Sequence, residues 1–592
     1  MLPDVRSTLK QFWGFDTFRP GQEEVIEHVL AGHDTLALLP TGAGKSLCYQ
    51  LPTLHQGGLC LVISPLIALM LDQVDRARSI GIKAGAVMSG MTSSSIENTL
   101  EDAAQGRLSL LFLSPERIGT ELFQGRLPRM PISLIAVDEA HCISQWGYDF
   151  RPAYQRISEL RPVHPEAPVL ALTATATARV VEDIQRLLAF RAPNVVRTSF
   201  RRPEITFWVS HGEDKLARLL KILNRTQGSS IVYVQQRRTA DQLAAHLEHH
   251  GIHCAAYHAG MDRSERDRVQ AEWASGTLPC VVATNAFGMG IDRSDVRSVI
   301  HWSPPNDLES YYQEAGRAGR DGKPAFAFVL CDGADPELIR ERVEAGFPSL
   351  AEVRKVFQAF SNIHRIASGS GLHESYPVHL NELAGKAGIR TGTALHALKA
   401  LELNGTLVLS EGVHTPSRVQ IKADHATIMR SRKNDKCMGA VLEAVRSAHG
   451  GLFEGLVIVE EERLARMSAI SVQEVVDRLK ELHRLDLIHY RSRDDDPQVT
   501  LLVPRPDAAA LYLAPEALAL RKDRALKRMR AMLSYLAPDV RCREQELLAY
   551  FSEVPKEACG QCDRCVARKR KEGGSLEQDM ERIRWEMDQT GT

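Results

Sequence analysis

The chain has 592 residues, 44% hydrophobic and 25% charged, which provides core for several folded domains and excludes a disordered or fibrous polymer. Its formal net charge of −1 excludes a uniformly basic nucleic-acid binder, so any surface for a polyanion must be a local patch. Residues 1–11 lack a signal-peptide core and no stretch reaches the roughly 18 apolar residues of a membrane span. The expectation is a cytosolic chain with reduced thiols and no membrane partner.

Short apolar runs alternate with helix-length segments through the first part of the chain. They lie at 34–40, 59–64, 108–114, 134–140 and 169–175, then again at 230–234, 280–284, 298–302 and 325–330. Apolar runs without alternation predict parallel strands covered on both faces. Two such blocks, 1–205 and 206–345, predict an α/β chain with two tandem doubly wound lobes and a cleft between them.

Within the first block, LLPTGAGKSLCYQ follows a strand and opens a helix. Thr41, Gly42, Ala43 and Gly44 form a turn that aims backbone N–H groups at phosphate oxygens. Lys45 supplies a point charge for the β- and γ-phosphates of a nucleoside triphosphate, and the Ser46 hydroxyl is suited to ligate Mg²⁺. Leu39 stands where the strict phosphate-loop pattern has its first glycine. Further on, LIAVDEAHC places Asp138 and Glu139 at the C-terminal end of a strand. Asp138 is suited to hold Mg²⁺ through water, and Glu139 to orient and deprotonate the attacking water. Loop and acids together predict hydrolysis of a nucleoside triphosphate.

The segment HCISQWGYDFRPAY follows at once. Trp146, Tyr148, Phe150 and Tyr154 are interleaved with Arg151, a composition suited to stacking single-stranded bases with little sequence preference. An aromatic core is the competing reading, opposed by the Gly, Asp, Arg and Pro between the rings.

From about residue 350 the texture changes. Residues 378–413 and 454–503 each read as helix, turn, helix and a two-stranded wing, giving winged-helix-like segments at 346–430 and 431–510. Such units either contact DNA or only pack. Residues 511–570 read as a small helical module and 571–592 as a polar tail. Four of eleven cysteines, Cys542, Cys559, Cys562 and Cys565, gather in that module with spacing C-x16-C-x2-C-x2-C. Four thiolates so spaced suit a structural Zn²⁺; the alternative, two disulfides, needs an oxidising compartment. Arg521, Lys522, Arg524, Lys527, Arg528, Arg530 and the run at 568–571 offer charge to duplex phosphates.

At the D-E-A-H residues 138–141 the sequence resembles superfamily 2 helicases, and its neighbours resemble the RecQ family of ATP-dependent DNA helicases. Residues 12–26 are similar to that family's nucleotide-recognition motif, which implies that Phe15 stacks on adenine while Arg19 and Gln22 contact the base. The aromatic loop at 141–154 looks like the family's DNA-contacting loop, with Tyr148 where a histidine is usual. Residues 281–301 and 309–322 resemble the fifth and sixth motifs, which implies that Arg320 acts as an arginine finger while Gln313 and Arg317 sense the nucleotide. The resemblance further implies RecA-like lobes, travel 3′→5′ on single-stranded DNA, and branched or duplex DNA as substrate in repair and recombination at the bacterial nucleoid. Residues 541–565 resemble the family's zinc module, here placed after residues 346–540 rather than directly behind the second lobe. A nucleotide-switched DNA-binding protein and an RNA helicase are the alternatives. Single-strand-binding or topoisomerase partners are not legible.

Overall fold

A strand covered on both faces has no solvent side to pattern, so unbroken apolar runs become the interior of parallel sheets. The computed structural model describes residues 3–571 apart from 66, 89–90, 92, 147–149, 227, 289–292, 373, 411–416, 423–435, 449–451, 453–456, 460, 486, 492–497, 514, 540 and 556. The first sheet holds β1 Thr35–Leu38, β2 Leu59–Ile63, β3 Ala84–Val87, β4 Leu110–Leu113, β5 Ile132–Val137, β6 Val169–Thr173 and β7 Val195–Arg197. Their order is β3-β4-β2-β5-β6-β1-β7, and every pairing is parallel. The loops after β1 and β5 therefore leave the same edge of the sheet with only β6 between them, the edge where open α/β sheets bind ligands.

The second sheet holds β8 Ile205–His211, β9 Ser229–Tyr233, β10 Cys254–Tyr257, β11 Cys280–Ala283, β12 Val296–His301 and β13 Ala325–Cys331. It too is parallel, in the order β10-β11-β9-β12-β13-β8. Among the described residues no helix is long and apolar enough to cross a membrane.

The chain divides into two compact units, Met1–Phe347 with Ala514–Thr592, and Pro348–Leu513. The cysteine-bearing module thus belongs to the unit that contains both sheets. It enters both of their cores. Met532, Tyr535 and Leu547 join the cluster around the second sheet, and Leu548 and Phe551 join that around the first.

The other unit carries β14 Ser375–Pro377, β15 Leu407–Ser410, β16 Arg418–Ile421, β17 Val457–Ile458, β18 Ile488–Arg491 and β19 Gln498–Leu501. Helices Leu380–Ala387 and Thr391–Leu403 precede β15, and helices Glu461–Ser468 and Val472–Arg484 precede β18, as the two helix–turn–helix patterns predict. The wings differ from expectation. β18 and β19, read as one hairpin, do not pair: β18 pairs with β16, while β19 pairs antiparallel with β14 and β15. The reason is burial. Ile488 and Tyr490 close a core with Val419 and Ile421, whereas Val499 and Leu501 of β19 are covered on the sheet that holds β15. A complete winged-helix unit, β16 to β18, is nested between two strands of another.

Candidate active site

The phosphate loop sits between β1 and the helix Leu47–Gln56. Gly42 has φ +84°, a left-handed turn that side chains resist. Leu39, in place of the expected first glycine, is fully buried and packs against Gly21 ahead of the helix Gln22–Leu30. Its bulk faces the core rather than the loop, so the turn forms without that glycine. Gln22 Nε2 donates to the carbonyls of Ala43 (2.8 Å) and Gly44 (3.1 Å), and the Arg19 guanidinium donates to that of Gly42. The two residues expected at the base thus also brace the loop. Phe15 is exposed, at 54% of its surface, with its ring free of the core.

β5 delivers the acids. The Asp138 N–H donates to the Ile63 carbonyl (2.9 Å) as the last rung of the sheet, and the chain then turns at Glu139, φ 46° and ψ 46°. A left-handed non-glycine residue costs on the order of 1 kcal/mol and is kept only where its surroundings enforce it. Here Tyr154 enforces it, donating its hydroxyl to the Asp138 carbonyl (3.0 Å). Tyr154 is fully buried and therefore belongs to the core; the expectation that it joins the stacking platform is overturned. His141 Nδ1 lies 3.4 Å from Glu139 Oε2 and 2.9 Å from the Thr173 hydroxyl, joining the acid to the end of β6. Burial, then the neighbouring Glu139 charge, pushes the Asp138 carboxyl up to about 6, while Lys45 pulls it back. A partly buried carboxylate within the field of the Lys45 ammonium fits a site for Mg²⁺ and phosphate.

The second lobe reaches this loop. Helix Leu308–Ala315 carries Gln313 and ends in the turn that holds Arg317 and Arg320. A Cβ built on Gly42 would come within 3.1 Å of Arg320 Cγ, and one on Gly316 within 2.6 Å of the Thr41 hydroxyl. The stem of Arg320 therefore lies directly on the phosphate loop, and both glycines are required by that approach. Arg317 donates to the Gly288 carbonyl within its own lobe. Arg202, 7% exposed, stands between the sheets and donates to the carbonyls of Thr41, Gly316 and Ala318. Nothing in the sequence marks it, since an arginine within RRPE reads as surface charge.

Trp146 is not bare. Its ring lies between two guanidinium groups, Arg179 at 4.1 Å and Arg524 at 3.6 Å from the ring centre, and Arg524 also donates to the Gln145 carbonyl (2.8 Å). Arg151 donates to the Pro65 carbonyl (3.0 Å), and Phe150 is half-buried. Tyr148 lies outside the described residues.

The four cysteine sulfurs all lie within 4.8 Å of one another. Cys542 and Cys559 are 3.5 Å apart, and Cys542–Cys562 and Cys559–Cys565 are each 3.9 Å apart. These are too long for disulfides, which need about 2.05 Å. They fit the edges of a tetrahedron with Zn–S near 2.3 Å, roughly 3.8 Å. Backbone N–H groups of Arg543, Cys559, Cys562 and Cys565 point at the sulfurs and stabilise thiolate charge. Arg543, fully buried, pairs with Asp563 (2.9 Å) and donates to the carbonyls of Tyr535 and Ala537, which fixes the cluster to the helix Pro515–Leu536.

Comparison with known proteins matches four family models along the chain. They are a DEAD/DEAH box helicase domain at residues 19–184, a helicase conserved C-terminal domain at 214–322, a RecQ helicase winged-helix domain known from Bacteroidota at 419–492, and a RecQ zinc-binding domain at 510–566. A probable ATP-dependent DNA helicase RecS of Bacillus subtilis is 39% identical over 361 residues, which cover 60% of this chain and 73% of that protein. The chain belongs to the RecQ family. The ATP-dependent DNA helicase RecQ of Haemophilus influenzae is 44% identical over 334 residues, 56% of this chain and 54% of the relative. That of Bacillus subtilis is 41% identical over 347 residues, 58% of this chain and 59% of the relative. The chain thus spans little more than half the length of these curated RecQ relatives. The winged-helix match runs from β16 to β18 and coincides with the nested unit, and the zinc-binding match falls behind it.

Proposed function

We propose that this RecQ-family chain is an ATP-dependent DNA helicase that travels 3′→5′ on single-stranded DNA and opens duplexes in repair and recombination, in the cytoplasm at the nucleoid. The observation that carries the reading is the stem of Arg320 lying on Gly42, which places both lobes at one phosphate loop. In the proposed reaction Phe15 stacks on adenine, and the loop N–H groups from Thr41 to Lys45 and the Lys45 ammonium hold the phosphates. The Ser46 hydroxyl and Asp138 would hold Mg²⁺, which would neutralise phosphate charge when bound. Glu139 orients the attacking water and takes its proton, held in place by His141. Arg320 meets the charge that spreads over the γ-phosphoryl oxygens, an effect of roughly 10³–10⁵ in rate, while Arg317 and Gln313 sense the nucleotide.

Loss of the γ-phosphate removes the contacts that favour a closed cleft, and alternate grip on the strand advances the protein. Trp146, Tyr148, Phe150 and Arg151 report strand binding to Glu139, a short distance back along the chain. Cys542, Cys559, Cys562 and Cys565 would hold a Zn²⁺ in a structural role, since four thiolates supply the full ligand set of such a site. The test is ATP turnover with and without single-stranded DNA, together with unwinding of duplexes carrying a 3′ or a 5′ tail. Strand-stimulated turnover lost in Lys45→Ala, with unwinding of the 3′-tailed duplex alone, supports the reading. Stimulation by RNA strands in place of DNA overturns its substrate, and turnover without unwinding overturns its motor.

A further inference from the structure

The two lobes are joined by residues 198–204, between β7 and β8. Arg202 in this connection makes a set of contacts that a surface charge does not make. Nη1 donates to the Thr41 carbonyl (3.2 Å) and the Gly316 carbonyl (3.1 Å), and Nη2 donates to the Ala318 carbonyl (2.9 Å). Nε faces the Glu204 carboxylate, which sets the plane of the fork. Thr41 precedes Gly42, on which Arg320 lies, and Gly316 and Ala318 flank Arg317. One guanidinium therefore grips the phosphate loop and the arginine turn together, from the segment that joins their lobes.

We propose that Arg202 is the positioning residue that locks the arginine turn of the second lobe to the phosphate loop of the first, so that nucleotide-driven closure aligns Arg320. The inference rests on the reading of this seam as the site of ATP hydrolysis. A planar fork with donors fixed in one plane spans three carbonyls on two elements; an ammonium on a flexible stem presents a point charge and does not. Buried at 7% exposure, the guanidinium is held to these acceptors because leaving a charged donor unsatisfied is costly. Its hydrogen bonds go to carbonyls of the loop and the turn and to Glu204, not to Lys45, Asp138 or Glu139, so its effect is expected on alignment more than on nucleotide affinity.

The experiment compares the full-length protein with Arg202→Ala, Arg202→Lys and Glu204→Gln. It measures strand-stimulated kcat, affinity for a fluorescent non-hydrolysable ATP analogue, melting temperature, and energy transfer between dyes at the exposed positions Glu97 and Glu248 on the two lobes. Arg202→Ala is expected to lose kcat by about 10- to 100-fold, the size of effect that follows a misplacement of about 1 Å, and to lose the analogue-induced rise in energy transfer. Analogue affinity is expected to stay within about three-fold of wild type, which separates positioning from binding. Arg202→Lys is expected to resemble Ala, and Glu204→Gln to fall between. Where Arg202→Ala does not fold, the other two variants decide. Wild-type kcat and energy transfer in Arg202→Lys, or a loss of kcat matched by an equal loss of affinity and melting temperature, overturns the proposal. A wild type that binds the analogue without any change in energy transfer overturns it also. A wild type that hydrolyses no ATP with DNA overturns the functional reading instead, and the analogue-induced energy transfer then judges Arg202 on its own.

Discussion

The ring of Phe551, in the cysteine-bearing module, packs on that of Phe200 in the interlobe connection, with centroids 5.1 Å apart. Tyr312, on the helix that leads to the arginine turn, closes the group at 5.1 Å from Phe551 and donates its hydroxyl to the Phe200 carbonyl (2.7 Å). Around it Arg201 pairs with Glu544, the Phe200 N–H donates to Glu553 (2.9 Å), and Gln561 donates to the Pro203 carbonyl (3.0 Å). The module is a clamp on the connection between lobes. Phe551 is 1% exposed, and truncating a buried phenylalanine to alanine costs about 3–5 kcal/mol. Phe551→Ala is expected to lower the denaturant midpoint by a corresponding amount, read by chemical unfolding.

The same clamp makes metal removal a test of the lobes. Treatment with a thiol-specific chelator, or Cys562→Ser, is expected to release zinc, lower the melting temperature and reduce DNA-stimulated turnover together, because the module enters both cores. Metal release with unchanged melting would show that Arg543 and the aromatic group hold the clamp without zinc.

Trp146 presents a comparison of magnitudes. A cation over an aromatic face contributes about 0.5–2 kcal/mol, and a stacked base about 1–3 kcal/mol, so a strand can displace a guanidinium. Arg524→Ala is expected to lower the oligonucleotide concentration for half-maximal ATPase stimulation by about two- to five-fold. Trp146→Ala is expected to abolish the stimulation. Normal stimulation in Trp146→Ala would remove the platform from the mechanism.

Gly42→Ala adds a single carbon at φ +84°, against the stem of Arg320. It is expected to reduce turnover by at least about ten-fold, with melting changed by the equivalent of about 1 kcal/mol, since the strain falls on one turn. Steady-state kinetics and thermal unfolding read the two effects separately.

Glu309 gives a dependence of stability on pH. Burial first, then the neighbouring Asp307 charge, raises its carboxyl from the ordinary 4.5 to about 7, against the opposing pull of Arg528 and the Tyr550 hydroxyl. The folded protein therefore holds this proton more tightly than the unfolded chain. Its contribution is fully present below about 4.5 and is lost as pH rises through about 7. Glu309→Gln keeps an acceptor for Tyr550 and removes the titration. It is expected to match wild type in melting at pH 4.5 and to exceed it at pH 8, by up to about 3 kcal/mol. Parallel melting curves across that range would refute the assignment.

The lobes were legible because apolar runs such as residues 59–63 and 169–172 have no polar face, and a run of that kind has few ways to be buried. β3, AGAV, and β10, CAAY, carry little hydrophobic signal because glycine and alanine fill half or more of each. β8 is less legible because, as an edge strand, it alternates buried and half-buried residues. The phosphate loop and the acids showed because their chemistry fixes residue type at close spacing. Arg202, Phe200 and Phe551 did not, since the carbonyls and rings that hold them lie more than a hundred residues away. Tyr154 misled for a related reason: a ring beside Arg and Pro reads as exposed until the carbonyl that its hydroxyl satisfies is seen.

In the nested winged helix, the chain leaves the host sheet at Ser410 and re-enters it at Gln498, and these two residues are paired across β15 and β19. Departure and return are thus neighbours, a spacing that a tight hairpin bridges unaided. The interposed piece has its own core from Val419 to Tyr490. Because its departure and return share that one rung, a change in the length of the interposed piece need not alter the register of the host's ladder.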